Sequence, residues 1–418
     1  MGTELAQEEI TSLDKKESAS LLKNKKFLYL WIASIFSSIT LSLYLVAEEW
    51  YVVKALGMSE SLGWVMVATT IPRILFMSIS GVIADRFSRS TILFLSDFSR
   101  AILVAGMVLL LLFEGLSFWV LTIFAFLFGT LDAFFWPARD ALLPSIVEKE
   151  QLTRANSLLS TTAYISMVIG PVIAGVAITW WSFAGAFSIV SVLLLIAGLL
   201  VFQIKDSPSF NQEKEYSAWD EFIEGFRYVK TSTFLIALMA VSAAVNFFFS
   251  GALMIGIPLI VDELLRGDAM DLSFMESAFA GGSLIGGIVV GALNIRKKRG
   301  LLALLFLLVP GLLMILLAQI TLLWQGVLLL GIMGTFLSLI NIPVISLMQE
   351  QTDPSKIGRV MAMLSIASMG LTPLSFGIIA TLLSVGVPLV GILTVCGSIL
   401  LLFTLLVLWK VKVLREVD

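Results

Sequence analysis

The chain contains no histidine and a single cysteine, Cys396. Without histidine it cannot form a histidine metal site, a Ser-His-Asp triad or a histidine proton shuttle. One cysteine cannot form an intramolecular disulfide bond. We therefore expect no metal, no other cofactor and no enzymatic activity. The net charge of −3, with no basic patch, likewise predicts no nucleic-acid partner.

Charge is scarce and apolar side chains are abundant. Charged residues make up 14% of the 418 positions and hydrophobic residues 58%. A soluble globular protein carries about 25% charged residues. A soluble chain this apolar would expose large hydrophobic patches, whereas lipid tolerates helices that are apolar on all sides. The composition predicts an all-α integral membrane protein.

Twelve apolar runs are long enough to cross a bilayer as helices, which requires about 20 residues each. Tryptophans near their ends fit the preference of this side chain for the membrane interface. The predicted spans cover residues 27–53, 60–84, 91–113, 117–138, 156–180, 183–204, 233–260, 272–295, 300–320, 323–347, 359–383 and 387–410.

The distribution of Lys and Arg predicts the orientation. If the N-terminus is cytoplasmic, 23 of the 27 basic residues lie in cytoplasmic segments, and only Lys54 and Arg266 lie outside. Cytoplasmic loops carry this excess in membrane proteins, so both termini are predicted to be cytoplasmic. The resulting domains are a tail (1–26), a six-helix bundle (27–204), a linker (205–232), a second six-helix bundle (233–410) and a short tail (411–418). The linker contains a stretch of helical period that either lies at the membrane interface or packs on the protein.

The loop after the second span reads GVIADRFSRS, residues 81–90. Its Gly81, Asp85, Arg86 and Arg89 resemble the G-x-x-x-D-R-x-G-R-K motif of the major facilitator superfamily, between helices two and three. The chain departs from that pattern at Ser88, where glycine is usual, and at the last basic position.

Further fragments resemble the macrolide-efflux and enterobactin-exporter branch of the same superfamily. They are IPRILF (71–76), LSDFSRAIL (95–103), WPARDALLPSIVEKEQLTRANSL (136–158) and QEQTDPSKIGRVMAM (349–363). The resemblance covers the whole chain. It implies two six-helix bundles around a central cavity and export by alternating access, in the plasma membrane of a bacterium.

Two motifs have implied roles in gating. The resemblance implies that Asp85 meets the N-terminus of helix eleven, near Gly358, when the transporter faces outward; such a contact also suits the helix dipole. The alternative is a positively charged loop with no gating role. The stretch GPVIAG resembles the helix-five antiporter motif, whose Gly170, Pro171 and Gly175 seal helix five against helix eight. Packing alone is the alternative there.

Ionisable groups inside a span cost at least about 2.5 kcal/mol, so each needs a reason. Glu48 and Glu49 in span one are adjacent carboxyls, and drug exporters of the superfamily often carry protons on a helix-one acid. The alternative is a pair of acids at the headgroups, beside Trp50. Arg73 is predicted near the midplane, either lining the cavity and pairing with an acid or an anionic substrate, or forming a structural ion pair.

Four more charges are predicted to form a network near the cytoplasmic side. Asp97 and Arg100 are three residues apart on one helix, and Asp132 lies at similar depth with Arg139 just beyond it. We expect them to serve structure and gating rather than substrate contact.

The substrate site is the least defined feature of the sequence. Apolar and aromatic walls with a few polar groups suit amphipathic molecules. The candidates are Asn246, Phe248, Gln325, Met333 and Asn341, with lipid-facing or core positions as the alternative.

The sequence therefore predicts a monomeric, proton-coupled antiporter in the lipid bilayer that exports amphipathic drug-like compounds. No G-x-x-x-x-G-K-[ST] loop is present, so an ion gradient is the expected energy source. The alternatives are a dedicated exporter of a siderophore, lipid or other metabolite and, less favoured, a non-transporting receptor or an embedded enzyme.

Overall fold

The computed structural model describes residues 21–206, 218–293, 297–354 and 356–416. Within these ranges the description leaves out the side chains of residues 78, 82, 84–86, 218–222 and 416. All of the regular structure in these ranges is helical.

Six helices build the first half of the chain. They are α1 (Lys25–Trp50), α2 (Leu62–Arg86), α3 (Arg89–Leu112), α4 (Phe118–Asp132), α5 (Phe135–Ile146) and α6 (Leu152–Phe202). A π-helical turn, Tyr51–Ala55, continues α1. The 51-residue α6 holds two spans, because Ser182 has a φ of 63° and breaks the helix.

Ten helices follow, beginning in the linker. They are α7 (Ala218–Thr231), α8 (Thr233–Ala244), α9 (Gly251–Leu259), α10 (Ala269–Leu293), α11 (Arg299–Leu317), α12 (Leu323–Glu350), α13 (Ile357–Met369), α14 (Thr372–Ser384), α15 (Leu389–Lys410) and α16 (Lys412–Glu416). Two π-helical turns, Val245–Ser250 and Ile260–Leu264, join α8 to α9 and extend α9.

The described chain has ten helical stretches that are long and apolar enough to cross a membrane. The stretch that contains α6 holds two spans, because the helix breaks at Ser182. Together with α2, which has 25 residues and is not among the ten, this gives twelve spans. Each span is thus close to a predicted one, and the break at Ser182 falls between predicted spans five and six. The twelve-helix, two-bundle fold class is confirmed, whereas the domain boundaries and the orientation stay predictions.

The loops fall at two ends of the molecule. At one end Asn24 donates to the carbonyl of Ile146, and Lys26 donates to the carbonyl of Lys205. Loops rich in Lys and Arg lie here, so we call this the basic end. At the opposite end Tyr51 donates to the carbonyl of Leu116. Successive spans therefore run up and down through the bundle.

The two bundles meet at the opposite end. Lys54, after α1, forms an ion pair of 2.7 Å with Asp262, after α9. Deeper in, the Ser277 hydroxyl of α10 donates to the carbonyl of Val168 in α6 at 2.8 Å. Toward the basic end of α10, a Cβ added at Gly291 would meet no atom within 4 Å. The structure is closed at the opposite end.

The linker helix α7 packs on the protein. Glu224 forms an ion pair of 2.7 Å with Arg359 of α13, and Lys356 lies 4.8 Å from the ring centroid of Tyr228. On its other side Phe226 is exposed. These contacts are those of a helix packed on the protein, and the location of this helix at the membrane interface stays a prediction.

Candidate functional site

A cluster of buried charges lies inside the first bundle. Arg100 of α3 forms ion pairs with Asp97 at 2.6 Å and with Asp132 of α4 at 2.5 Å. Asp97 also accepts hydrogen bonds from the Ser37 hydroxyl of α1. Arg73 of α2 reaches the other oxygen of Asp132, with 3.1 Å between Nε and Oδ2. Four spans are thereby joined by two acids and two bases whose charges balance.

A close approach of backbones brings the α2 and α4 members of this cluster together. Gly129 lies one turn before Asp132, and a Cβ added to it would collide with the carbonyl oxygen of Thr69 in α2. Thr69 in turn lies one turn before Arg73. The missing side chain therefore lets the two helices touch where their charges must meet.

Arg139, predicted as the fourth member of the network, is not part of it. Its guanidinium pairs with Asp140, the next residue, at 2.7 Å and lies 4.5 Å from the ring centroid of Trp136. It sits seven residues beyond Asp132, on α5, where the chain has turned away from the cluster. Arg73 is the second base of the cluster in place of Arg139.

Glu48 is buried among hydroxyl groups. The Tyr44 hydroxyl donates to its Oε1 at 2.7 Å, and Thr69 donates to its Oε2 at 3.3 Å. Only 2% of Glu48 is exposed, and no Lys or Arg of the described chain pairs with it. The Tyr44 ring is fixed by stacking on Phe128, with centroids 3.8 Å apart. A buried carboxyl held by two hydroxyls and no cation is suited to binding and releasing a proton.

Glu49, at the end of α1, lies within electrostatic range of Glu276, an acid of α10 in the other bundle. Glu49 is 5% exposed and Glu276 is half-buried. The neighbouring Trp50 is also buried. The proton-carrier role of the two acids and their location at the headgroups both stay predictions. The sequence analysis did not single out Glu276. This residue is also an acid within an apolar run, which is the criterion that identified Glu48.

The loop between α2 and α3 is anchored by a residue that the sequence did not single out. Asp206, after α6, accepts hydrogen bonds from the Ser88 hydroxyl at 2.5 Å, from the Arg89 N–H at 2.8 Å, and from Ser90. Ser88 also caps α3 by accepting from the Thr91 N–H. The serines that depart from the family motif are therefore the ones that bind Asp206.

Asp206 is held in its ionised form. Partial burial by itself raises its pKa, but the hydrogen bonds from Ser88, Ser90 and the Arg89 N–H together outweigh burial and leave the pKa below its ordinary value of 3.8. An anion at the start of α3 also suits the helix dipole. The side chains of Asp85 and Arg86 lie outside the described residues, so their predicted gating contact has no geometry here. Gly81 lies within α2, with no atom within 4 Å of an added Cβ.

The helix-five motif makes two different contacts. A Cβ on Gly175 would collide with Ser273 of α10, so this residue packs against helix eight as the resemblance implies. A Cβ on Gly170 would meet Ser42 of α1 instead. Pro171 lies within α6, whose internal break falls later, at Ser182. The motif thus packs helix five against both bundles.

The five residues predicted at the substrate site differ in their burial and contacts. Met333 is fully buried, and Gln325 caps the start of α12 by accepting from the N–H groups of Thr321 and Leu322. Neither residue lines the apolar cavity between α2 and α14, and their place at the substrate site stays a prediction. Asn246, half-buried, donates to the carbonyl of Ser242 on its own helix. Phe248 is half-buried against the Phe247 ring, and Asn341 is exposed.

An apolar cavity of about 660 Å³ lies between the two bundles, where α2 faces α14. Drug-sized ligands occupy pockets of about 300–1,000 Å³. Thr381 supplies the polar group of its wall. The other lining residues are Trp64, Val67, Ile71, Ile74 and Leu75 from the first bundle and Gly370, Pro373, Leu374, Gly377, Ile378 and Leu382 from the second.

The sequence pattern of the Major Facilitator Superfamily matches residues 30–376. The chain belongs to this superfamily. Macrolide efflux protein A of Streptococcus pyogenes is 26% identical over 282 residues, which are 66% of this chain and 69% of that protein. The enterobactin exporter EntS of Shigella flexneri is 24% identical over 346 residues, 82% of this chain and 81% of that one.

Solved structures support the same fold. The nucleoside transporter NupG superimposes with a TM-score of 0.76 at 11% identity, over 94% of this chain and all of that one. A bacterial homologue of the human lysosomal transporter Spinster gives 0.66 at 14% identity, over 94% and 96%. The chain is therefore a multi-pass membrane transporter related to efflux proteins, and not an enzyme.

Proposed function

We propose that this chain is a proton-coupled antiporter that exports amphipathic, drug-like compounds by alternating access. The basic end faces the cytoplasm of a bacterial cell and both termini lie there, in keeping with the distribution of Lys and Arg. The protein acts as a monomer in the plasma membrane, with protons as the second transported species.

The observation that carries this proposal is the environment of Glu48. A carboxyl buried without a cation is costly to keep ionised, so a proton bound there is retained until water reaches it. In the state that is closed at the opposite end, the Tyr44 and Thr69 hydroxyls donate hydrogen bonds to the Glu48 carboxyl and fix its position. Opening and closing of the two ends then exposes the group to one side of the membrane at a time.

The buried charge cluster of Asp97, Arg100, Asp132 and Arg73 has a structural role. Arg100 is satisfied by Asp97 and Asp132, and Arg73 adds a contact at the edge of the cluster where it is 27% exposed. Each charge of the cluster has an oppositely charged partner and the cluster joins neighbouring spans, so we assign it to the rigidity of the bundle. Arg73 is the member that can meet an anionic group in the cavity.

The nature of the substrate follows from the cavity between α2 and α14. Its wall is almost wholly apolar, so it binds hydrophobic parts of a substrate and leaves polar parts in water. Of the relatives named above, macrolide efflux protein A is the one whose name indicates a substrate class, the macrolides, that suits such a cavity.

Transport into everted membrane vesicles tests the proposal. Vesicles from cells that overproduce the full chain should accumulate a radiolabelled macrolide when the lumen is acidic, and an uncoupler should abolish the uptake. Glu48→Gln should reduce proton-driven uptake at least about tenfold, because the carrier group is gone. Asp140→Asn, at an exposed acid, is the matched control and should transport as the parent does. Full proton-driven uptake by a Glu48→Gln, Glu49→Gln double variant would overturn the assignment.

The second candidate is a dedicated exporter of a siderophore-like metabolite. It is favoured by the likeness to EntS, which covers 82% of this chain. Uptake of enterobactin in the same vesicles, in competition with the macrolide, distinguishes the two. Strong enterobactin uptake without macrolide uptake would select the dedicated exporter.

Asp85 has a proposed gating role. Its backbone lies at the basic end of α2, and α13 begins at Ile357, with Arg359 now paired to Glu224. In the outward-facing state we expect Asp85 to bind the N-terminus of α13. Asp85→Asn should then favour the inward-facing state, which thiol labelling of the cytoplasmic cavity detects; unchanged labelling would count against the role.

A further inference from the structure

The linker helix α7 has one buried face and one exposed face. Gly225 and Val229 are buried toward the rest of the protein. Four exposed side chains, counted from the first, follow at intervals of three, four and seven residues, so they share one side of the helix. They are two apolar and two basic residues, Ile223, Phe226, Arg227 and Lys230. A helix face that combines apolar and basic groups is typical of segments that lie on a membrane surface.

The start of α13 occupies the opposite face of α7. A Cβ added at Gly225 would lie 3.2 Å from the Cβ of Arg359, so the two helices approach closely. Glu224 forms an ion pair of 2.7 Å with the same arginine. The Tyr228 hydroxyl accepts a hydrogen bond from the Asp353 N–H at 3.2 Å. These contacts fix the rotation of α7 about its axis, and the exposed face is therefore held away from the second bundle.

The last turn of α7 lies at the level where the chain enters the membrane. The helix ends at Thr231, and α8, the start of a membrane-spanning stretch, begins at Thr233. Ser232 between them caps α8 by accepting from the Leu235 N–H. The three steps from Lys230 to Thr233 can span at most about 11 Å. The exposed face therefore ends beside the lipid headgroups.

The two basic groups of this face are available to an external anion. Within the described residues, neither Arg227 nor Lys230 forms an ion pair. The Lys230 ammonium lies 4.5 Å from the ring centroid of Phe226. Guanidinium groups bind phosphate oxygens in pairs, and lysine binds them as a point charge. The charge of the face is thus complementary to a negatively charged phosphate headgroup, and its apolar side chains suit the acyl region just below.

We propose that the exposed face of α7 binds anionic phospholipid, such as phosphatidylglycerol, in the leaflet at the basic end. Arg227 and Lys230 contact the headgroup phosphates, while Ile223 and Phe226 lie among the upper parts of the acyl chains. Each basic residue beside an anionic lipid surface strengthens binding by about fivefold. The inference goes beyond the proposed transport and does not depend on proton coupling.

Quenching by brominated lipid measures lipid contact at this helix. In the full chain with Cys396→Ala, a bimane fluorophore is attached to Thr231→Cys, an exposed position at the end of α7. All nanodiscs hold the same mixture of phosphatidylcholine and phosphatidylglycerol, and the bromine is carried on the acyl chains of an equal amount of one lipid or the other. In the parent, brominated phosphatidylglycerol should quench more strongly. This preference should fall at high salt, because salt screens the attraction between charges.

Charge variants locate the site. Arg227→Gln with Lys230→Gln should lower the preference for phosphatidylglycerol by up to about 25-fold, from two factors of about five. Arg227→Lys with Lys230→Arg keeps both charges and should keep the preference. The matched control is Lys149→Gln with Lys297→Gln, which removes two exposed charges of the basic end outside α7 and should also keep it.

The outcomes are independent of transport. Equal quenching by the two lipids in the parent would overturn the proposal, and so would a preference that persists in the double Gln variant of α7. A preference lost to the same extent in the matched control would overturn it too, because the whole basic end would then attract the lipid. Absence of quenching by either lipid would show that the face turns to water, as for an acidic protein partner. A preference lost only with the α7 charges would support the site, even if vesicles transport none of the compounds tested.

Discussion

Arg100 of α3 and Asp132 of α4 form an ion pair of 2.5 Å in which neither side chain is more than 2% exposed. Removing one partner of such a pair leaves an uncompensated buried charge, which costs about 3–5 kcal/mol. We therefore expect Arg100→Ala to lower the stability of the protein by that amount. Asp97 and Asp132 would be left as two buried acids with Arg73 as their remaining base.

Thermal unfolding of the purified protein in detergent measures this loss. Asp140→Asn serves as the comparison, since its partner Arg139 is paired at the surface and an exposed pair contributes about 0–1 kcal/mol. Equal unfolding temperatures for Arg100→Ala and Asp140→Asn would contradict a structural role for the cluster.

A second prediction concerns the contact of α2 with α4. Gly129→Ala places a methyl group against the carbonyl oxygen of Thr69, so the helices must separate, at a cost of about 1–3 kcal/mol. Gly281→Ala adds the same methyl group where no atom lies within 4 Å, and it should leave stability unchanged or slightly raised. The difference between the two unfolding temperatures is the measurement. A Gly129→Ala protein as stable as Gly281→Ala would show that the contact is dispensable.

The sequence was enough to predict the spans because each depends on local composition. Hydrocarbon thickness sets the length of every span, and the apolar runs end where charges begin. The pair of Asp97 with Arg100 was also predictable, since residues three apart share a helix face. The ion pair of Arg73 with Asp132 was not predictable, because it depends on the crossing of α2 and α4 at Gly129. Nothing local to Arg73 or Asp132 fixes that crossing.

Side-chain direction around a uniformly apolar helix could not be predicted. α12 is apolar on all sides, so periodicity did not show that Met333 faces the core, or that Gln325 is used at the helix start. The partner of Ser88 and Ser90 is more than 110 residues away, at Asp206, which no loop motif identifies. Long-range partners of this kind require the assembled bundle.

The third prediction concerns Asp206 and pH. Because its pKa in the folded protein is lowered, its stabilising contribution is present at pH values above the ordinary value of 3.8, and it is lost as pH falls through the lower folded value. Asp206→Asn should therefore be less stable than the parent by a constant amount from pH 5 to pH 8, and the gap should narrow below about pH 4. Chemical unfolding at each pH gives the two stabilities.

Hydrogen exchange of backbone amides provides a second measurement of the contact between Asp206 and the loop before α3. Amide exchange at Arg89 and Ser90, whose N–H groups donate to Asp206, should accelerate in Asp206→Asn. Glu150→Gln, at an exposed acid of the same end, should leave it unchanged. Identical exchange in all three proteins would mean that Asp206 does not anchor the loop.

The last prediction concerns the ion pair that joins the bundles at the opposite end. Lys54 is 48% exposed and Asp262 is 23% exposed, so water screens their attraction and the pair contributes only about 0.2–1 kcal/mol to closure. Asp262→Asn should shift the equilibrium toward opening by about 1.4- to 5-fold, the factor that this energy gives. The charge swap, Lys54→Asp with Asp262→Lys, should restore closure.

A buried thiol at the interface reports the opening. Ser273→Cys, in a Cys396→Ala background, places a thiol that is inaccessible over Gly175 while the end is closed. Its modification rate should rise by about 1.4- to 5-fold with Asp262→Asn and return to the parent rate with the charge swap. Glu224→Gln removes an ion pair at the basic end and should not change the rate. A swap that stays as reactive as Asp262→Asn would show that Asp262 acts through packing, because its charge would then be irrelevant to closure.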